Sequence, residues 1–221
     1  MTFWYNTALI TFAAVAIGMT WTIMNSGFSS SDVMKDVVED AAAHSANSLQ
    51  IVGKMTGIAN VQDDQVTVTA TPITSTTNGN VNVSPEKTKV TYTIIKEGSH
   101  TITHDNIYVG MLDEESYNSL SDALDAAKKV GMIEVNPMID GEKPQTTSAF
   151  VYWIINQNSD GIVQNNEIAS LVIVYADKDR PATGEYMTIQ VLEKRGVLLY
   201  IERNVPNISS SILDFGGKVR T

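Results

Sequence analysis

The sequence predicts an α+β protein in which a long N-terminal hydrophobic α-helix (residues 1–55) precedes an antiparallel, immunoglobulin-like β-sandwich head (residues 56–221) with one short helix. Three observations support this prediction. Residues 1–31 contain no Asp, Glu, Lys, Arg or His, and apolar residues then recur at spacings of three and four as far as Ile51. From Gln65 onward, the hydrophobic period changes from helical to the alternation of strands.

The N-terminal stretch is long and apolar enough to cross a hydrocarbon core about 30 Å thick as a helix. By itself it is equally compatible with a plain single-pass membrane anchor. The helical pattern continues, however, through Val33, Val37 and Ala41, where the helix becomes amphipathic. A helix that runs to Gly53 would be about 75 Å long, which exceeds what a bilayer requires. Its second half must therefore pack outside the membrane.

The N-terminus lacks the basic region that normally stays cytoplasmic when a chain inserts into a membrane. Either insertion is unusual, or the sequence is that of a mature product from which a basic leader has been cut. We favour the second interpretation.

The head is predicted to hold seven or eight short strands in two packed sheets. Alternation predicts a half-buried strand at Val66–Thr69 that ends at Pro72, and Asn78-Gly79 is a tight-turn signal. Phe150–Ile155 is apolar on both faces, so we expect it to be central and covered on both sides. The other strands are expected at Val90–Ile95, Ile102, Ile107–Met111, Ala149–Ile155, Ile168–Tyr175, Tyr186–Leu192 and Val197–Glu202.

One helix is predicted within the strand-rich region. Its apolar residues Tyr117, Leu120, Leu124 and Ala127 lie three and four apart. The acidic residues at positions 113–115 would open it and Gly131 would close it, as the helix dipole and the C-terminal cap prefer. We interpret it as a crossover helix that covers one sheet edge.

The most specific local motif is Asn156–Glu167, which fits the twelve-residue calcium loop D-x-[DN]-x-[DN]-G-x5-E with Asn in place of the first Asp. In this pattern Gly161 permits the sharp turn and Val163 would anchor the loop to the core. The predicted Ca²⁺ site is weak and structural, with a Kd of about 10⁻⁴ to 10⁻³ M. The alternative is a polar hairpin loop, since the flanks are predicted as strands. The candidate ligands are Asn156, Asn158, Asp160, the Ile162 carbonyl, Gln164 and Glu167.

Other classes of function receive little support. The net charge of −10 argues against a nucleic-acid partner, and the absence of cysteine excludes disulfides. We identify no nucleophile elbow, no H-E-x-x-H motif and no convergent catalytic set, so the protein is not predicted to be an enzyme. His104-Asp105 is interpreted as an exposed polar pair. Two N-glycosylation sequons begin at Asn82 and Asn207, and Pro85 weakens the first.

The chain resembles archaeal flagellins (archaellins), which belong to the type IV pilin-like superfamily. The resemblance rests on the apolar helix and its polar continuation at 7–40, on the strand and acidic turn at 150–176, and on the terminal strand pair at 190–217. No residue between 72 and 146 contributes to it. The N-terminal pattern is shared with archaeal pilins, whereas the C-terminal pattern is more particular to archaellins.

The resemblance implies a structural subunit of an extracellular helical filament used for swimming, and a precursor inserted in the membrane of an archaeal cell. Its partners would be further copies of itself or paralogous subunits, the membrane before assembly, and motor or assembly-platform proteins. Two alternatives remain, namely an adhesive pilus subunit and a membrane-anchored, stator-like or binding β-sandwich. The implied polymerisation core comprises Phe3, Trp4, Leu9, Ile10, Phe12, Ala13, Ala14, Val15, Ile17, Gly18, Trp21 and Ile23.

Overall fold

The computed structural model describes residues 49–76, 79–96, 98, 100–139, 143–158, 160–193 and 196–216. The chain divides into two units between Ser45 and Ala46. Residues 1–48 of the predicted N-terminal helix, with the polymerisation core at residues 3–23, lie outside the described residues. Residues Leu49–Ile51 form a strand. The expectation that the helix continues to Gly53 is therefore wrong at its C-terminal end. Within the described residues, no helix combines the length and apolar character needed to cross a membrane.

Strands of 2 to 11 residues follow one another along the described chain, and one α-helix interrupts them. The elements are β1 (Leu49–Ile51), β2 (Thr56–Asn60), β3 (Gln65–Ser75), β4 (Val81–Asn82), β5 (Thr88–Lys96), β6 (His100–His104), β7 (Tyr108–Ser116), α1 (Leu120–Lys129), β8 (Ser148–Ile155), β9 (Ile162–Val163), β10 (Ile168–Val174), β11 (Tyr186–Glu193), β12 (Gly196–Asn204) and β13 (Ile212–Asp214). A short 3-10 turn, Asp177–Asp179, follows β10.

Two sheets form the head, as the sequence predicts. The larger has the order β13-β2-β3-β10-β8-β7, with β1 also paired to β3, and the smaller has the order β12-β11-β5-β6. Buried side chains from both sheets form one hydrophobic cluster, which includes Trp153 and Leu171 from the larger sheet and Tyr92 and Ile189 from the smaller. The sheets therefore pack face to face around a common core.

The larger sheet is mixed, which corrects the prediction of an antiparallel sandwich. Its strands β7 and β8 are parallel, because α1 lies between them in the chain and parallel neighbours require such a crossover. The helix packs on the face of the sheet, where Leu124 and Ala127 meet Phe150 and Val172. The predicted crossover is confirmed, but the helix covers a face and not an edge.

The helix begins later than the sequence predicts. Residues 113–115 belong to β7, and the N-cap is Ser119, whose hydroxyl accepts a hydrogen bond from Asp122 N at 3.1 Å. Gly131 closes the helix as expected, with a positive φ of 78° and a bond from its N–H to Lys128 O. Asp122 lies in the first turn, while Lys128 and Lys129 lie in the last, an arrangement that complements the helix dipole.

Strand β3 continues through Pro72, where the sequence predicts its end. The carbonyl of Pro72 accepts a bond from Val52 N at 2.9 Å, so the proline lies beside the segment between β1 and β2, where the neighbouring strand changes. The missing N–H is tolerated at such a break in the pairing. The strand is buried along almost its whole length, since sheet neighbours lie on both sides and α1 and the second sheet cover its two faces.

The two ends of the larger sheet are distinguished by the residues that lie there. Ser148, Val174, Val68, Ile58 and Ile212 lie in one row across the sheet; this row is called the Ser148 end. At the opposite end of β8 lies Ile155, which pairs with Ile168; this is called the Ile155 end. Seven residues of extended chain separate the two ends, or about 23 Å.

Candidate functional site

The predicted ion loop connects β8 to β10 at the Ile155 end of the larger sheet. Its flanks are strands, as expected, and its middle residues Ile162–Val163 pair with Val81–Asn82 in a two-stranded sheet. Val163 is fully buried and anchors the loop to the core. Gly161 has a φ of 71°, and a Cβ there would lie 2.6 Å from Met111 Cε. The positive φ favours glycine at this turn, and a larger residue would also displace the end of the Met111 side chain.

Glu167 closes the loop with its carboxylate. Its side chain is buried, at 1% exposure, and accepts hydrogen bonds from Gln157 N at 2.9 Å and Gln164 N at 3.1 Å. Thr74 Oγ1 donates to the Glu167 carbonyl at 2.7 Å. A buried carboxylate is tolerated when N–H groups satisfy its oxygens. Glu167 thus fixes both halves of the loop to each other and to β3.

Asp160 is exposed, and its carboxylate also accepts hydrogen bonds within this loop. Its Oδ1 accepts from Ile162 N at 2.9 Å and its Oδ2 accepts from Gln164 Nε2 at 3.4 Å. The predicted ligand residues therefore lie in one loop, and the oxygens of its two carboxylates accept N–H bonds in this conformation. Among the described residues, no group of three or more His, Cys, Asp or Glu side chains could hold a metal. Calcium binding stays a prediction, and an ion would have to replace some of these bonds.

The two sequons differ in accessibility. Asn207 is exposed in the loop between β12 and β13. Asn82 is half-buried in β4, where its Oδ1 accepts from Ser84 N at 2.8 Å and its carbonyl accepts from Thr88 Oγ1 at 2.8 Å. The geometry favours Asn207 as a glycan acceptor because its amide is presented to solvent. Glycosylation at either site stays a prediction.

His104 has a partner that sequence reasoning missed. Its Nε2 lies 3.0 Å from Oδ2 of Asp179, a buried carboxylate that also accepts from Thr147 Oγ1 at 2.7 Å. The expected exposed pair with Asp105 is therefore wrong. His104 belongs to β6 of the smaller sheet, and Asp179 ends the 3-10 turn that follows β10 of the larger sheet. No spacing signal in the sequence joins two residues that lie so far apart along the chain.

Aromatic rings surround this polar link. The His104 ring is stacked on Tyr92 with centroids 6.3 Å apart, and the Tyr92 hydroxyl donates to Asp179 O at 3.0 Å. Burial raises the pKa of the Tyr92 phenol, and the neighbouring Tyr175, Asp179 and Glu185 raise it further. The phenol therefore stays protonated and acts as a hydrogen-bond donor between the two sheets.

The outer face of the smaller sheet carries two tyrosines around one carboxylate. The Tyr200 hydroxyl donates to Glu202, and hydrogen bonding to Glu202 raises the pKa of Tyr186 to about 12. Both bonds hold the pKa of Glu202 below its usual value. Tyr200 remains 44% exposed, so this face offers a polar aromatic surface to solvent.

A groove of about 990 Å³ opens on the helix-covered side of the larger sheet. Its walls are β2 and the following turn, the first turn of α1, residues 137–139 and 143, and the start of β13. The exposed large hydrophobic side chains that line it are Val61 (46%), Met138 (44%), Ile139 (48%) and Ile212 (73%). These four are among the ten large hydrophobic side chains exposed in the described residues. Four of the ten therefore share one concave surface.

The groove exists because the helix is too short for the sheet. A ten-residue helix is about 15 Å long, whereas the six strands from β13 to β7 span about 24 Å. The helix-side cluster contains residues of β3, β10, β8 and β7, and Ile58 of β2 packs only partly against it. The β2 and β13 edge of this face is therefore left uncovered.

Comparisons with known proteins identify solved structures with a similar fold. No protein-family model matches the chain, and no curated protein matches it in sequence. Among solved structures, the two-sheet head with one helix is similar to archaeal flagellin FlaB1 from Methanocaldococcus jannaschii, with a TM-score of 0.55 and 15% identity. The match covers 78% of this chain and 98% of that one. The resemblance to archaeal flagellins is thus confirmed at the level of the fold.

Two further solved structures are similar at lower scores. The archaeal flagellum of Methanospirillum hungatei has a TM-score of 0.44 and 13% identity, and the match covers 94% of each chain. The archaellum periplasmic stator protein FlaG from Sulfolobus acidocaldarius has a TM-score of 0.33 and 10% identity, and the match covers 70% of this chain and 96% of that one.

Proposed function

We propose that this protein is a structural, non-enzymatic subunit that polymerises into an extracellular helical filament, an archaellum used for swimming. The observation that carries the proposal is the combination, in one chain, of an archaellin-like head fold and a charge-free apolar stretch at residues 1–31. The head supplies a folded unit that can tile an outer surface. The apolar stretch supplies the surface that suits a bilayer before assembly and a helix bundle afterwards.

The physics of such a stretch is compatible with polymerisation. Small residues such as Ala13, Ala14 and Gly18 allow apolar helices to approach closely, so that van der Waals packing replaces lipid contacts. A heterologous contact repeated by every subunit gives a helical polymer when it does not close on itself. The partners are accordingly further copies of this chain or paralogues, the membrane that holds the precursor, and a membrane-bound assembly and motor apparatus.

The proposal includes two modifications of the head. Asn207 carries an N-linked glycan where the host glycosylates its surface, and the Asn156–Glu167 loop binds Ca²⁺ weakly. Both sites are on loops.

Electron microscopy of material sheared from cells tests the proposal. Filaments that contain this chain, identified by mass spectrometry, are expected in the sheared fraction, and deletion of the gene should remove them. Recovery of the chain only from membranes would contradict the proposal and favour an anchored, stator-like role. Cell tracking then separates motility from adhesion, because loss of swimming with normal surface attachment is expected in the deletion strain.

A further inference from the structure

We infer that the outer face of the smaller sheet binds the N-linked glycan that is attached to Asn207 of the same chain. This inference rests on the proposed glycosylation of Asn207 and specifies where the sugars lie. The binding surface, called the tyrosine platform, consists of Tyr186, Tyr200 and Glu202. A carbohydrate is the class of ligand that this surface suits, because a sugar combines apolar C–H faces with hydroxyl groups.

The two rings of the tyrosine platform are held along the sheet by the carboxylate between them. Tyr200 and Glu202 are alternate residues of β12 and share a face, and the Tyr200 hydroxyl donates to Glu202. Tyr186 pairs with Asn204 across β11 and β12, and it also hydrogen-bonds to Glu202. A hydroxyl reaches a carboxylate two residues along, about 7 Å away, when its ring leans over along the sheet. Such a ring turns one face to solvent, and Tyr200 is 44% exposed.

The platform offers the contacts that a sugar ring requires. The face of an aromatic ring carries a negative partial charge, so it attracts the polarised C–H groups of a pyranose. The hydrogen bonds from Tyr200 and Tyr186 hold the pKa of Glu202 below its usual value, so this carboxylate is ionised at neutral pH. A carboxylate has about four lone-pair sites. Those that the two tyrosines leave open on Glu202 can accept hydrogen bonds from sugar hydroxyls.

A row of hydroxyl groups extends the platform across the sheet. Glu202 pairs with Thr188 of β11. Thr93 of β5 and Thr103 of β6 continue the same row, and their hydroxyl oxygens lie 3.2 Å apart. All three threonines are at least partly exposed. Because a hydroxyl both donates and accepts hydrogen bonds, this row suits a ligand that is itself rich in hydroxyl groups.

The position of Asn207 indicates that its own glycan is the occupant. Asn207 follows Asn204 by three residues, so their Cα atoms are at most about 11 Å apart, and Asn204 pairs with Tyr186. A few exposed aromatic and hydroxyl contacts bind a free sugar only weakly. Attachment through a short flexible linker raises the effective concentration of the sugar to the millimolar range, which favours weak contacts of this kind. The other sequon, at Asn82, lies in β4, outside the smaller sheet.

Hydroxyl-radical footprinting of the full chain tests the inference. The chain is isolated from its host with the glycan attached and is dispersed in detergent, and mass spectrometry measures the oxidation rate of each tyrosine. We expect Tyr200 to be oxidised several-fold more slowly in the parent than in Ser209→Ala or Asn207→Gln, since both variants lack the glycan. Tyr117, which is partly exposed on the helix side of the larger sheet, is the internal control and should be oxidised at one rate in all three proteins.

A double-mutant cycle provides an independent arm. The glycan should raise the midpoint of thermal unfolding of the parent by about 2–4 °C relative to Ser209→Ala. This rise should be absent when Tyr200→Ala is present in both proteins, because the platform then lacks one ring. Tyr117→Ala is the matched control, since it removes a partly exposed ring far from the platform, and the rise should persist in that background.

The possible outcomes separate this inference from the proposed function. Equal oxidation of Tyr200 in the parent and in Ser209→Ala, with Asn207 fully modified, would overturn the inference and leave the filament function intact. Slower oxidation of Tyr200 in filaments but not in the dispersed chain would show that a neighbouring subunit covers the platform, and would also overturn it. An unmodified Asn207 would refute both the proposed glycan and its binding surface. Absence of filaments from sheared material would instead refute the proposed function, while footprinting of the dispersed chain would still decide the inference.

Discussion

Glu167 shows how one carboxylate can fix a twelve-residue loop. Its two oxygens accept N–H bonds from Gln157 and Gln164, and the side chain is buried. Replacing it by Gln places an NH₂ group against one of these donors. We expect Glu167→Gln to lower the free energy of unfolding by about 1–3 kcal/mol. Thermal unfolding of the full chain in detergent, followed by circular dichroism, measures this, and Glu193→Gln on β11 serves as the matched control.

The same variant tests the predicted calcium site. Calcium at one to ten times its Kd should stabilise the parent by roughly 0.4–1.4 kcal/mol, because the ion would neutralise Asp160 and Glu167 together. The Glu193→Gln control should keep this response, and Glu167→Gln should lose most of it. For each protein, the midpoint of thermal unfolding in millimolar calcium is compared with the midpoint in chelator. Equal midpoints for the parent would mean that the loop is a hydrogen-bonded turn and does not bind the ion.

Asn207 is the residue whose modification is best supported by geometry. Because it is exposed, whereas Asn82 is half-buried in a strand and engaged by Ser84 N, we expect glycan at Asn207 with higher occupancy than at Asn82. Intact-mass and peptide mass spectrometry of natural filaments measures both, and Ser209→Ala should remove the modification at Asn207 alone. Unmodified peptide at Asn207 in a strain that glycosylates other surface proteins would contradict the expectation.

At the scale of elements, α1 depends on its cap. Ser119 is the N-cap, and its hydroxyl accepts from Asp122 N, so Ser119→Ala should cost about 1 kcal/mol. Ser121→Ala, inside the first turn of the helix, also removes a serine hydroxyl but leaves the cap intact. It should therefore lower the free energy of unfolding by less. The midpoint of chemical denaturation of the full chain in detergent measures both variants. Equal losses would show that Ser119 does not act as a cap.

The elements that the sequence predicts well are those with a strong local pattern. The strands that form β8, β10, β11 and β12 are found within two residues of their expected bounds, because long apolar or alternating runs specify them directly. The prediction that residues 113–115 open the helix is wrong, since acidic residues are favoured in a first turn but do not exclude a strand. The course of β3 through Pro72 could not be predicted, because it depends on where the neighbouring strand breaks.

The candidate sites show the same difference between local motifs, which the sequence predicts, and contacts between distant segments, which it does not. The Asn156–Glu167 loop and the two sequons are contiguous motifs, so sequence reasoning located them, although it could not show that Glu167 satisfies backbone N–H groups. The pair of His104 and Asp179 and the groove near Ile212 join segments distant in the chain. Their existence depends on the order of strands in the sheets and on the short length of α1 relative to the sheet. Neither feature can be predicted from a local sequence pattern.

At the scale of the whole molecule, the head has two sheets with a common core, and one of its outer faces is only partly covered. A monomer gains nothing from leaving Ile212 and Met138 exposed, whereas a subunit that packs against copies of itself can bury them in the assembly. The apolar stretch at residues 1–31 is proposed to form the filament core.

The central claim is that the charge-free stretch at residues 1–31 drives polymerisation, and Ala14→Asp tests it most directly. An unpaired carboxylate in the middle of an apolar helix bundle costs several kcal/mol in every subunit. The measurement is the yield of filaments in sheared material by electron microscopy, at equal cellular levels of the chain, with Ser210→Asp on the exposed β12–β13 loop as the control for added charge. The account predicts no filaments from Ala14→Asp and normal filaments from Ser210→Asp. Filaments of normal yield from Ala14→Asp would contradict it.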